Sequence, residues 1–303
     1  MRPLLLALSL SAALILTGCG DDDDHHHDTG DASTLDANLT DTSIADAAPS
    51  FSNVSLRFRA KVGAQTFACN QTFTGLGTSA TTWQGIDLRF YVHDVKLING
   101  SGTRVPVTLT DDNRWQRQGL ALLDFENATG QCTGNADLND VVLGTVPSGT
   151  YSGLEFTLGV PFSMNHQDRS VAPAPLNLSS MFWTWLDGYK FVKIDGKTTG
   201  QPNGALMHLG STGCVESSPN VVTSCATPNR RVVTLMGFDP TSSVVVADLA
   251  TLFAGSNLDA NAGGPPGCMS GPTDSDCAPI FAALGLAFGG GAQPATQSFF
   301  RVE

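Results

Sequence analysis

Positive charge is scarce in this chain, and so are the short signatures of common enzymes and thiolate metal sites. Lys and Arg together number 16 of 303 residues against 28 Asp and Glu, a formal net charge of −12. The part from Phe51 onward stays acidic, with 19 acids against 15 bases, which argues against a nucleic-acid binder. There is no H-E-x-x-H and no G-x-S-x-G, and Gly210-Ser211-Thr212-Gly213 lacks the strand–Ser–helix setting of a nucleophile elbow. Asp124 and Glu126 lie two residues apart in an apparent strand, with nothing to place them across a sugar-sized gap. The chain is therefore not read as an enzyme. Cysteine never occurs as C-x-x-C, which counts against a thiolate metal site. The longest apolar run, Leu4 to Leu16, is too short to span a bilayer well. No internal repeat and no linker after residue 50 divides the remainder.

What is present begins with an export signal. Met1-Arg2-Pro3 leads through the apolar run into Leu16-Thr17-Gly18-Cys19, which resembles a bacterial lipobox. Residues 1–18 are then a lipoprotein signal peptide, and Cys19 is the lipidated first residue of a chain tethered to a bacterial membrane. The expected location is the outer membrane, facing the periplasm or the cell surface. Residues 20–50 hold nine aspartates and no Lys or Arg, so 19–50 reads as an acidic stalk that cannot offset its ordering entropy by burial. His25, His26 and His27 in this stalk more readily solvate a tether than hold a metal.

Six cysteines remain after Cys19, an even number that in an exported chain reads as disulfides. Cys214 with Cys225 and Cys268 with Cys277 are near neighbours enclosing turn-rich loops, which leaves Cys69 with Cys132.

Residues 51–303 read as one domain of many short strands. Alternation at Val54, Leu56, Phe58 and Ala60 marks one strand, and Ile86, Leu88, Phe90 and Val92 mark another. The second continues into Val95 and Leu97 with a change of phase near Asp94, which predicts a β-bulge. Further strand-like runs are 105–109, 120–125, 141–146, 151–160, 189–194, 232–236, 244–247 and 299–302, bounded by turn residues. Helical signals are confined to a turn at 178–183, a segment 248–253 with Asp248 as N-cap, and 279–286. The fold class is mainly β: an antiparallel sandwich or barrel with long loops and a few short helices.

Chemistry concentrates between residues 165 and 214. Two of the four tryptophans, Trp183 and Trp185, and two of the three histidines outside the stalk, His166 and His208, fall there. Imidazole is a good copper ligand, and electron-rich rings either pack a core or enter oxidative chemistry. His93, the third histidine, shares a strand face with Tyr91. Asp94 and Asp168 stand close in sequence to candidate ligands and are candidate acceptors for their second ring nitrogens.

Gly159-Val160-Pro161-Phe162, Asn165-His166, Ala174-Pro175-Leu176-Asn177, Met181-Phe182-Trp183-Thr184-Trp185-Leu186-Asp187-Gly188-Tyr189-Lys190-Phe191 and His208-Leu209-Gly210-Ser211-Thr212-Gly213-Cys214, with Cys225, resemble the MbnP-like family of metallo-mystery pair four-Cys motif proteins. The resemblance runs across nearly all of 54–303. It implies a periplasmic or surface protein that binds copper as Cu(I). The implied partner is a di-haem protein of the MauG and cytochrome c peroxidase type, which oxidises a tryptophan to kynurenine, and the kynurenine joins histidines as a copper ligand. Carried over, the histidine candidates are His166, His208 and His93, and the favoured rings are Trp185 and Trp183, ahead of Trp115 and Trp83. Tyr91 stands where some relatives carry Trp in a Trp-x-His arrangement, so a three-histidine site without a modified ring stays open. The competing reading is a lipid-anchored binding or adhesion module without metal, which requires Trp183 and Trp185 on an exposed flat face.

The lipobox reading predicts that Cys19→Ser releases the chain from the membrane fraction. Cell fractionation with metabolic fatty-acid labelling checks this: the variant should be soluble and unlabelled.

Overall fold

The computed structural model describes residues 49–303. The signal segment, Cys19, His25 to His27 and nearly all of the stalk lie outside the described residues.

The strand Thr81–Asn99 is the longest element, and five others hydrogen-bond to it: Thr72–Leu76, Arg104–Pro106, Leu120–Asp124, Tyr151–Leu158 and Val192–Thr198. With Ala205–Leu209 and Arg231–Met236 at its ends and Gln116–Arg117 beside Leu120–Asp124, this makes the larger of the two main sheets. The smaller is built on Phe51–Val62, which runs antiparallel to Val141–Pro147 and parallel to Val244–Asp248. Neither sheet closes on itself, so the fold is a β-sandwich and not a barrel. Among the described residues no helix is long and apolar enough to cross a membrane.

The sandwich core follows from alternation. Leu56, Phe58, Ala60 and Val62 of one sheet and Leu88, Phe90 and Val92 of the other all face inward and are buried. Phe58 meets Phe90 and Phe156 edge-on at ring-centroid distances of 6.2 and 5.7 Å, and Phe300 closes the cluster 5.4 Å from Phe90 and 5.2 Å from Phe156. The bulge lies where the phase change predicts it. Asp94 has φ of +51°, and the register to the neighbouring strand slips between Glu155 and Thr157, so Val95 and Leu97 point inward again.

The three disulfides join Cys69 to Cys132, Cys214 to Cys225 and Cys268 to Cys277, as the sequence predicts. Asp248 caps the short helix Leu249–Leu252 by accepting from the Ala250 amide. The last helix, Cys277–Leu284, starts two residues before the expected Pro279. Several strands have no clear sequence signal. Thr212–Ser218 and Val221–Thr227 form a two-stranded ribbon that is exposed along most of its length, so burial imposes no apolar alternation on it. Phe58→Ala should lower stability by about 3–5 kcal/mol. Urea unfolding reads this, and Met236→Ala, at a side chain 63% exposed, should stay within about 0.5 kcal/mol.

Candidate metal centre

Between Asp87 and Tyr91 the outer face of the larger sheet is as dry as the inner one. Asp87, Arg89 and Tyr91 alternate with Leu88 and Phe90 along the long strand and are no more than 2% exposed. Segment 160–190 covers them, held by two tyrosines. The Tyr91 hydroxyl donates to the carbonyl of Pro175 (2.9 Å) and that of Tyr189 to Leu176 (2.6 Å), while the rings meet edge-on. Burial pushes both phenols above their ordinary range. Tyr91 is thus a fully buried structural ring.

Beneath this cover runs a file of buried charges. Arg89 pairs across the sheet with Lys193, and Lys193 with His208. Arg89 donates through Nε to Asp87 (2.7 Å), Lys193 contacts both Asp87 and Asp195, and Asp195 accepts from His208 Nε2 at 2.7 Å. Asp124 and Glu126 end the file behind Arg89 and accept from loop amides, Asp124 from Glu126 and Glu126 from Ala128 and Asn135. Burial pushes the Asp124 carboxyl up to about 7, against the pull of Arg89.

His208 is fixed on both sides. Its amide donates to Cys268 and its carbonyl accepts from Ser270, so the Cys268 segment docks along its strand. Because Nε2–H is committed to Asp195, Nδ1 carries the lone pair, and that nitrogen is buried with no partner. The Trp183 ring lies 6.2 Å from the imidazole, centroid to centroid. Burial holds the His208 pKa below 6.5 although Asp195 opposes this. Burial also pushes Asp195 up, but the bond from His208 and the nearby charges outweigh it and hold the carboxyl below its usual range.

Both tryptophans ride one hairpin, Phe182–Thr184 with Gly188–Tyr189, whose turn Thr184 and Asp187 close. Gly188 has φ of +78°, and a Cβ there would fall 2.3 Å from the Asn165 carbonyl. A Cβ on Gly210 would fall 2.4 Å from the Trp183 ring, so glycine lets the indole lie on the strand end that carries His208. On the hairpin's other side, fully buried Asn165 accepts from the Tyr189 amide (2.9 Å), and His166 Nδ1 donates to the Trp185 carbonyl (3.3 Å). Trp183 and Trp185 are both half-buried, not displayed on a flat exposed face.

His93 donates from Nδ1 to Gly159 O (2.8 Å). His93 and His166 both feel the Arg230 guanidinium, which stacks 4.9 Å over Phe191 and is brought down to about 10 by burial. The three histidines do not meet as one group: among the described residues, the three-donor cluster is His166 with Cys214 and Cys225. Two expectations are corrected. Asp94, turned outward at the bulge, pairs with Lys96, and Asp168 closes a turn onto Ser170, so neither supports an imidazole. Gly159 O and Asp195 do that instead. Lys193 and Asp195 alternate in a strand whose neighbours are apolar, a signal that the predicted end at Ile194 cut in half. Trp83 is buried among Phe67, Phe73 and Phe253, and Trp115 lies under Arg114.

A family model, MbnP, matches residues 51–270. The chain belongs to the MbnP family. Its structure is similar to that of MbnP from Methylosinus trichosporium, with 31% identity over 84% of this chain and 98% of that one, at a TM-score of 0.75. No curated protein matches the chain. The matched range contains Asn165-His166, Trp183 and Trp185 on the hairpin, and His208 to Cys214.

All three histidines are held below 6.5 chiefly by burial, so the unfolded chain takes up protons that the fold refuses. For the metal-free protein, the histidines contribute stability that is present above about pH 7.5 and lost as pH falls through about 6.5 to 5, while Asp124, raised to about 7, contributes in the opposite sense between about pH 4 and 7. A further loss should come below about pH 4, as Asp195 protonates. Thermal unfolding across pH checks this, and His208→Gln should shrink the first slope whatever it does to the plateau.

Proposed function

We propose that this protein is an extracytoplasmic copper-binding protein whose copper is held by His208 together with a ring derived from Trp183. The observation that carries this reading is the buried Nδ1 of His208, unpartnered and beside an indole while Nε2 is anchored on Asp195. A carboxylate that fixes the tautomer and orientation of an imidazole is the usual support of a metal-ligating histidine. Imidazole suits copper, and a dry surround of low coordination number favours Cu(I).

Membership in the MbnP family supports a di-haem partner of the MauG and cytochrome c peroxidase type. Oxidation to kynurenine opens the five-membered ring with net loss of one carbon and gain of one oxygen, leaving a ketone and an aniline nitrogen as donors. Trp183 is favoured because its ring faces an imidazole, whereas Trp185 meets His166 through its backbone carbonyl. His208 ranks ahead of His166 and His93 because its unpartnered Nδ1 is buried beside an indole, whereas theirs are spent on the Trp185 and Gly159 carbonyls. A lipid on Cys19 would hold the site at a bacterial membrane, where it serves copper acquisition or homeostasis.

The chain purified from cells with and without the partner tests this. Peptide mass spectrometry should find Trp183 converted only when the partner is present, with copper co-purifying. His208→Ala should weaken copper binding at least about tenfold. Intact tryptophans in copper-replete cells that contain the partner would overturn the modified ring, and copper retained by His208→Ala would overturn the ligand.

A further inference from the structure

His166, which contacts the tryptophan hairpin through the Trp185 carbonyl, sits together with the Cys214–Cys225 disulfide. The His166 Nε2 is 3.7 Å from Cys225 Sγ, and the donor atoms of all three residues lie within 4.8 Å of one another. We infer that His166, Cys214 and Cys225 form a second, redox-gated site that takes one thiophilic d¹⁰ cation, Cu(I) or Zn(II), when the disulfide is reduced. The site shares no residue with the one built on His208, so it goes beyond the copper reading above.

Geometry carries the argument. Metal–N bonds of about 2.0–2.1 Å and metal–S bonds of about 2.3 Å, at tetrahedral to trigonal angles, place N and S roughly 3.5–3.8 Å apart. The imidazole already stands at that separation from one sulfur. Its Nδ1–H is spent on the Trp185 carbonyl, which leaves Nε2 as the acceptor; the Asn165 side-chain amide donates to it at 3.1 Å and also to the Asp187 carbonyl, where it stays bonded when a metal takes the Nε2 lone pair, and Cys225 Sγ lies 3.7 Å away. Burial keeps this imidazole neutral at neutral pH, the form that ligates. Cys214 and Cys225 are directly paired across a ribbon that joins neither main sheet, so separating the sulfurs breaks no pairing within either main sheet, although Cys214 is itself buried. Cys225 is partly exposed, which gives a reductant access. Two thiolates and a monovalent cation leave the site one negative charge, and the neighbouring Arg230 guanidinium complements it. The charge that opposes a cation on neutral ligands thus favours this anionic set.

Opening needs a dithiol. One thiol attacks the Cys214–Cys225 bond to give a mixed disulfide and free one cysteine, the second thiol attacks that mixed disulfide to free the other, the dithiol leaves as its own disulfide having given up two electrons, and the two cysteines gain the two protons. Metal binding then releases those protons as the thiolates ligate.

The mature protein, treated with dithiothreitol and desalted without oxygen, is titrated with Cd(II), whose thiolate complexes absorb in the ultraviolet. Thiol counting should show the pair reduced, circular dichroism should show the fold retained, and the absorption should saturate at one equivalent. The unreduced protein and the reduced Cys214→Ser/Cys225→Ser variant should show none. His166→Ala should keep the band but weaken binding about tenfold or more. Three outcomes would overturn the inference: a pair that resists reduction in the folded protein, a band surviving in the double serine variant, or unchanged affinity in His166→Ala. Copper in the unreduced double serine variant reports on the His208 reading alone, so the two fail separately.

Discussion

From Asp87 to Val92 both faces of the strand Thr81–Asn99 are out of water, and most of the architecture answers that constraint. A sheet face can be left to solvent if its side chains are polar, but Asp87, Arg89 and Tyr91 are as buried as the phenylalanines that alternate with them. The inner face is covered by the second sheet. The outer face needs a second cover, and segment 160–190 supplies it, pinned by hydroxyls that satisfy backbone carbonyls a loop would otherwise bury unpaired. The candidate chemistry lies at the boundary between that cover and the sheet.

Burying several charges beneath a loop is not in itself a source of stability. Removing ions from water costs several kcal/mol per ion, and attraction between them recovers this only where every lone pair and proton is matched. The file from Asp124 to His208 meets that condition with one exception, the Nδ1 of His208. An apolar replacement of the whole file would be no less stable on this logic. What it would lose is a fixed imidazole with a free nitrogen at a defined place beside an indole.

The tryptophan hairpin divides two environments. On one side Trp183 rests on Gly210 next to a histidine anchored by a carboxylate; on the other Trp185 and Asn165 hold a histidine against a disulfide. Charge distinguishes the two. Asp195 is bonded to the first histidine with Lys190 and Lys193 close by, while Arg230 and Asp187 stand near the second, so the same metal would meet a different field at each.

Alternation over Val54 to Ala60 and Ile86 to Val92, the phase slip at Asp94 and the cysteine spacings were sufficient to place the core, the bulge and the three disulfides, because burial against an apolar partner and closure of short loops are recorded locally in residue order. The Trp-rich segment and the His208 motif likewise marked where chemistry collects. Which histidine meets which ring depended on contacts between segments far apart in the chain. His208 finds Asp195 across a strand pair and Trp183 across a hairpin, while His166 finds Cys225 at a separation of 59 residues. No local pattern encodes such pairings, since the side chains involved are the same whether a histidine faces a carboxylate, a carbonyl or a sulfur. The sequence by itself determined the donors and their family; the tertiary structure decided their neighbours, because register and loop cover set the distances and charges on which metal binding depends.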